Sequence, residues 1–199
     1  MTVGTNWEPG FGEIYTWFAV DRNGRVAVMV NNCYGDLPRV LLRLDSFDYL
    51  LDSVSEYLWE ESEGFELYPK GKCGDFILDC YSFWRYGEEN KGALRNRLVA
   101  DLTVSQKNSE VNFPVNKGLF LYHAVEGSFS GEDYPVGYDG DTGMGDYFRY
   151  LIPTKIATID EIPVSLRKGF VRSADLDFMS DRLIENSKVN EYFKELLES

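Results

Sequence analysis

Two apolar runs joined by a short polar turn, residues 14–30, constrain the fold of this chain more than any other feature. Residues 14–20 (IYTWFAV) and 25–30 (RVAVMV) are rich in the aromatic and β-branched side chains that favour strands. The tetrad 21–24 (DRNG) between them ends in Asn-Gly, which adopts positive φ angles at little cost. We therefore predict a β-hairpin. Because nearly every position is apolar, both faces of its sheet should be buried.

The apolar residues change to a helical period after residue 45. They recur three and four positions apart, which is typical of one face of an amphipathic helix. The residues of this stripe are Phe47, Leu50, Leu51, Val54 and Leu58. Asp45 or Ser46 can cap the N-terminus, since a short polar side chain there accepts a hydrogen bond from a free backbone N–H. The pattern predicts a helix over residues 46–61.

The remaining segments complete a mixed pattern of strands and helices. Residues 75–86 are compatible with a strand or a buried helical turn, and residues 94–104 with a helix or a strand. The other predicted elements are strands over 118–125, 147–152 and 155–159, a glycine-rich loop over 127–146 and a helix over 188–197. No linker divides the chain, so we expect one α+β domain over residues 1–199 with a largely antiparallel sheet.

The charge balance restricts the partners that the chain can bind. Its 33 Asp and Glu residues against 20 Lys and Arg residues give a formal net charge of −13. Nucleic acids and anionic membranes are not expected partners, because both are bound through Lys and Arg. Three cysteines without a CxxC pair indicate a reducing compartment. With neither a signal peptide nor an apolar run long enough to span a bilayer, a cytoplasmic protein is predicted.

Motifs for catalysis or cofactor binding are missing from the sequence. His123 is the one histidine, so zinc sites with two histidines are impossible, and no P-loop motif occurs. An EF-hand loop beginning at Asp139 would need Gly at its sixth position and Glu at its twelfth, where this chain has Met144 and Tyr150. We therefore expect no metal, no cofactor and no enzymatic activity.

Two stretches without Lys or Arg are the strongest candidates for a binding surface. Eight acidic residues lie between Asp45 and Glu66, and several of them are spaced by four along the predicted helix, where like charges cost stability. The second stretch, residues 118–148, places acidic residues beside aromatic ones in the glycine-rich loop. A solvated surface is the alternative interpretation. The predicted partner-binding residues are Asp48, Asp52, Glu56, Glu60 and Glu63, followed by Glu132, Asp133, Tyr134, Tyr138, Asp139 and Asp141.

Residues 13–27 (EIYTWFAVDRNGRVA) resemble the start of a group of small bacterial immunity proteins, which are encoded beside polymorphic or contact-dependent growth-inhibition toxins. The resemblance covers about the first forty residues and implies a cytosolic domain that binds and neutralises one cognate toxin, often a nuclease. Such a toxin is basic where it holds phosphates, which suits an acidic inhibitor. Two alternatives stay open: a carboxylate-dependent hydrolase, which needs two acids in one cleft, and a regulatory protein-interaction module.

Overall fold

A large, mostly antiparallel sheet organises the chain in the computed structural model, which describes residues 6–61, 65 and 71–197. Its strands and those of a small two-stranded sheet are β1 (Thr16–Val20), β2 (Val26–Val30), β3 (Phe76–Leu78), β4 (Tyr81–Ser82), β5 (Phe120–Ala124), β6 (Pro135–Val136), β7 (Tyr147–Pro153), β8 (Phe170–Arg172), β9 (Leu183–Ile184) and β10 (Glu195–Leu196). The α-helices are α1 (Arg39–Leu42), α2 (Phe47–Trp59), α3 (Phe83–Tyr86), α4 (Lys91–Ser105) and α5 (Val189–Tyr192). The predicted α+β class is confirmed.

The order of strands in the large sheet is β10-β8-β1-β2-β5-β7-β3, and β9 also pairs with β7. The pairs β1–β8 and β2–β5 are parallel, whereas the other pairs are antiparallel. The small sheet pairs β4 with β6. Short 3₁₀ turns span Gln106–Asn108, Ile159–Glu161, Val164–Gly169 and Asn186–Lys188, and a π-helical turn spans Phe113–Lys117.

The predicted hairpin lies at the centre of this sheet. β1 pairs with β2 from Thr16 opposite Val30 to Val20 opposite Val26. The Asp21 carboxylate accepts hydrogen bonds from the backbone N–H groups of Asn23 and Arg25, both at 2.9 Å, and so closes the turn. The strands are buried almost throughout, which confirms the expectation that both faces of the sheet are covered.

Different segments cover the two faces, because successive side chains of a strand point to opposite sides. On one face the Tyr122 hydroxyl donates to the backbone carbonyl of Asp181 at 2.6 Å. On the other face the ring of His123 lies 4.7 Å from that of Tyr150, and the Tyr150 ring stacks with that of Tyr86 from α3. Helix α2 packs on β1 and on residues 164–169.

The structure resolves the open assignments in the middle of the chain. Residues 75–86 contain β3, β4 and α3, so both the strand and the helical turn occur there. Residues 94–104 lie within α4 and are helical.

The strand predicted over residues 155–159 is wrong: Thr158 makes an isolated bridge, and its N–H donates to the Glu161 carboxylate at 3.1 Å. That capping interaction starts a 3₁₀ turn and ends the extended backbone.

The C-terminal helix predicted over residues 188–197 is correct only in its first turn, since α5 ends at Tyr192. Leu196 instead pairs with Val171 of β8, and the Leu197 N–H donates to the Phe170 carbonyl at 3.0 Å. An unpaired strand edge leaves backbone N–H and C=O groups without partners inside the protein. Strand β10 satisfies those groups along β8, which a continued helix would not do.

A buried ion network holds the segments at one edge of the sheet. Asp79 follows β3 and accepts hydrogen bonds from Arg149 Nε at 2.8 Å and from Arg182 Nη2 at 2.7 Å. Arg149 also donates to the carbonyls of Phe178 at 2.9 Å and Met179 at 2.6 Å. Burial alone would raise the pKa of Asp79, but the hydrogen bonds from Arg182 and the charge of Arg149 outweigh it and lower the pKa. Asp79 is therefore ionised when the protein is folded.

The substitution Asp79→Ala should lower the free energy of unfolding by about 3 kcal/mol at pH 7, because it leaves Arg149 buried without its counter-charge. Since the folded-state pKa of Asp79 lies below its unfolded value, this contribution is present above about pH 4 and is lost as the pH falls through the folded pKa. Urea denaturation at pH 7 and pH 3 measures both effects.

The exposed Asp139 provides the matched control for this experiment. Asp139→Ala should change the free energy of unfolding by no more than about 0.5 kcal/mol. If Asp79→Ala lowers the free energy of unfolding as little as the control does, the proposed contribution of the network to stability is wrong.

Candidate partner-binding surface

The first acidic stretch lies on α2, whose apolar side faces the sheet through Leu51, Val54 and Leu58. Asp52 and Glu56 are exposed on the opposite side, and Asp48 is partly exposed. Within the part of the chain that the structure describes, the carboxylates of these three residues form neither a hydrogen bond nor an ion pair. We call Asp48, Asp52 and Glu56 the acidic helix face.

Glu60, the fourth acid in this series, has an intramolecular role. Helix α2 ends at Trp59, two residues before the predicted end, and Glu60 follows it as the C-cap residue with a positive φ angle of 56°. The helical period of the acidic helix face therefore does not extend to Glu60, whose side chain pairs with the buried Lys117 and, at 3.0 Å, with Lys107. Burial would raise the pKa of Glu60, but the hydrogen bonds from these two lysines outweigh it and lower the pKa. Glu63 lies outside the described residues.

Two carboxylates of the glycine-rich loop stabilise the conformation of the loop through hydrogen bonds. Asp133, predicted as a contact, is buried and accepts hydrogen bonds from the Trp84 N–H at 2.9 Å and the Glu126 N–H at 2.8 Å. Glu132 accepts from the backbone N–H groups of Ser128 and, at 3.1 Å, Phe129. Both acids satisfy backbone donors that a loop would otherwise leave open, so their carboxylates are used inside the protein.

The other predicted residues of the loop remain at the surface. The Tyr134 ring stacks on that of Phe83 with a centroid distance of 4.7 Å, and 47 % of Tyr134 is exposed. Tyr138 is partly buried, with the Arg182 guanidinium 5.7 Å from its ring. Asp139 and Asp141 are exposed and make no side-chain hydrogen bond or ion pair to any described residue. This surface is anchored on α3 and Arg182, whereas α2 is anchored on β1, so separate elements position the two stretches.

A polar cluster that the sequence did not indicate lies at the carboxyl ends of the parallel strands β2 and β5. Arg85 of α3 is at its centre: its Nε lies 2.6 Å from Glu126, its Nη1 3.4 Å from Glu110, and its Nη2 donates to Asn32 at 3.1 Å. The His123 Nε2 lies 3.6 Å from Glu110. These residues are distant in the sequence and form no motif, so only the tertiary structure reveals them.

A cleft of about 150 Å³ opens beside this cluster, lined by Asn32, Cys33, Trp84 and Glu126 among others. Asn32 and Cys33 have φ angles of 47° and 70°, a left-handed conformation that costs side-chain-bearing residues energy. Burial raises the pKa of the Glu126 carboxyl, and the nearby Arg85 counteracts only part of this effect. The cleft therefore combines a strained backbone with a carboxyl group that is protonated more readily than usual.

Comparisons with protein-family models, with curated proteins and with solved structures give no significant match. Among the residues that the structure describes, no helix combines the length and the apolar composition that crossing a membrane requires.

The buried histidine makes folding stability depend on pH. His123 is 2 % exposed, and burial lowers its pKa well below the usual value. The unfolded chain takes up a proton near pH 6.5 that the folded chain does not bind, so the free energy of unfolding should fall as the pH decreases below about 6.5. The limiting slope for one proton is about 1.4 kcal/mol per pH unit.

Because the chain has one histidine, His123→Phe isolates this effect. The variant should lose the histidine contribution to the slope between pH 6.5 and pH 5, while the contribution of the carboxylates remains. Urea denaturation of both proteins at pH 7, 6 and 5 measures the difference. Parallel pH profiles for the two proteins would show that His123 takes up its proton in the folded state as well.

Proposed function

We propose that this chain is an immunity-type protein that binds and neutralises a basic toxin domain, with the acidic helix face as its first contact. The observation that carries the proposal is that Asp48, Asp52 and Glu56 form no ion pair with a Lys or Arg in the described part of the chain. Carboxylates that serve the fold, such as Glu60 and Asp79, each have two Lys or Arg partners. The carboxylates of the acidic helix face thus lack a paired counter-charge within the described structure, which a basic partner would supply.

The helix stability that is lost by placing like charges along one side of α2 supports the same proposal. Like charges four residues apart destabilise a helix by a few tenths of a kcal/mol per pair, and alternation with Lys would remove that cost. A nuclease toxin presents Lys and Arg where it holds phosphates. The acidic helix face would compete for those groups, and its field would accelerate the encounter of the two proteins. We propose that binding there keeps nucleic acid out of the toxin.

The proposal includes a cytoplasmic location, where the substrate of a nuclease toxin is found. All three cysteines are free: Cys80 is buried, Cys33 is partly buried and Cys73 is exposed. Free thiols are typical of a reducing compartment. This observation supports the location without depending on the identity of the toxin.

Charge reversal on the acidic helix face tests the proposal. The double variant Asp52→Lys/Glu56→Lys should slow association with the toxin domain encoded by the adjacent gene by about tenfold at low salt, because electrostatic steering is lost. Co-purification identifies the pair first, and surface plasmon resonance then gives the rate constants. Added salt should reduce the difference between the variant and the unmodified protein.

The double variant Asp101→Lys/Asp175→Lys is the matched control, because both residues are exposed and the net charge changes by the same amount. If the control slows association as much as the variant does, the location of the charge is irrelevant and the proposed surface is wrong. Unchanged association in both double variants would reject the electrostatic mechanism.

A carboxylate-dependent hydrolase is the second candidate, and the raised pKa of Glu126 beside the cleft favours it. Glu126→Gln distinguishes the two functions, since the amide can still hydrogen-bond but cannot transfer a proton as a carboxyl group does. Under the immunity proposal, the variant binds the toxin and protects cells as well as the unmodified protein. Loss of protection with toxin binding intact would favour the hydrolase.

A further inference from the structure

An apolar groove lies between the first half of α2 and the C-terminal strand β10. It has a volume of about 630 Å³, and leucine side chains form much of its wall. The residues that matter most here are Leu44, Tyr49, Leu50, Leu196 and Leu197. This volume falls in the range of pockets that hold a ligand or a few side chains of a partner.

Tyr49 connects the groove with the acidic surface of the helix. It lines the groove, yet 73 % of the residue is exposed. Asp52 lies one turn after Tyr49 on α2, and Asp45 lies four residues before Tyr49 in the turn that precedes the helix; both are exposed. A large exposed aromatic residue beside an apolar groove is typical of the anchor positions that dominate binding energy at protein interfaces.

The charges around the groove favour a basic partner over a second copy of this chain. Lys168 is the one cation among the residues that line the groove in the described structure. Two copies of this chain would each carry a net charge of −13, and like charges oppose association. Apolar side chains of a partner would fill the groove, and Lys or Arg beside them would meet the exposed carboxylates Asp45 and Asp52 that flank Tyr49 in the sequence.

We infer that this groove receives an apolar segment of the toxin domain, flanked by Lys or Arg, and that Tyr49 packs against that segment. The inference rests on the proposed function and adds the contact that gives the complex its lifetime. Exposed charges mainly set association rates, whereas buried apolar anchors mainly set dissociation rates. The acidic helix face and the groove would thus act on different steps of one binding reaction.

Two variants of the full chain test the groove against the same toxin domain. Tyr49→Ala removes the anchor, and its exposure makes a folding defect unexpected. Ser46→Tyr adds bulk at the groove, where the Ser46 side chain makes no capping hydrogen bond. Each should raise the dissociation rate by about tenfold or more and change the association rate by less than twofold, as measured by surface plasmon resonance.

Trp84→Ala is the matched control, because Trp84 is 57 % exposed and lies on α3, outside the groove. Its dissociation rate should stay within about twofold of that of the unmodified protein. If the groove variants dissociate like the control while Asp52→Lys/Glu56→Lys still slows association, the inference is wrong and the proposed function stands. If the toxin domain does not bind the unmodified protein at all, the proposed function itself is wrong.

A titration with synthetic peptides tests the groove without the toxin. The ¹⁵N-labelled chain is mixed with the peptide KLLKLLKK or with KSSKSSKK, which has the same charge but no leucine. The inference expects KLLKLLKK alone to shift the amide resonances of Leu44, Leu50 and Leu196. Equal shifts from both peptides would overturn it, as would a stable dimer in sedimentation that Tyr49→Ala dissociates, because the groove would then bind a second copy.

Discussion

The structure depends on one buried carboxylate, Asp79, held between two guanidinium groups. Arg149 comes from β7, which pairs with the edge strand β3, and Arg182 comes from the segment between β8 and β9. Arg182 also donates to the Gly137 carbonyl at 2.6 Å, so the same network fixes the glycine-rich loop. A buried ion pair compensates the loss of hydration only when its geometry and its further hydrogen bonds are good. Here those further bonds connect three segments that are distant in the sequence.

The protein uses its many carboxylates in two different ways. Asp79, Asp133 and Glu60 accept hydrogen bonds from cations or backbone donors and hold segments together. Asp52 and Glu56 contribute nothing comparable to the fold, since they face solvent without a partner in the described structure. Composition alone does not separate these classes, because both contribute equally to the net charge of −13. The difference in pairing distinguishes the carboxylates that are open to a basic partner from those that the fold already uses.

In the proposed interaction, charge and apolar surface have different roles. Long-range attraction needs exposed carboxylates, and α2 supplies them on the side that faces away from the sheet. A long-lived complex needs apolar surface that loses its water, which the groove next to Tyr49 supplies. The groove adjoins the first half of α2, and the acidic helix face begins on that half with Asp48 and Asp52, so we expect one partner surface to contact both.

The sequence by itself determined the central hairpin and helix α2. The spacing of their apolar residues indicates which side chains are buried, and this pattern does not depend on a distant partner. It also indicated the exposed acids Asp52 and Glu56, since a helical period places them opposite the apolar stripe. Only the tertiary structure decided that Asp133 is buried, that Glu60 pairs with Lys117 and that residues 195–196 form a strand. Those outcomes depend on partners that lie far away in the chain, and no local pattern specifies which partners will meet.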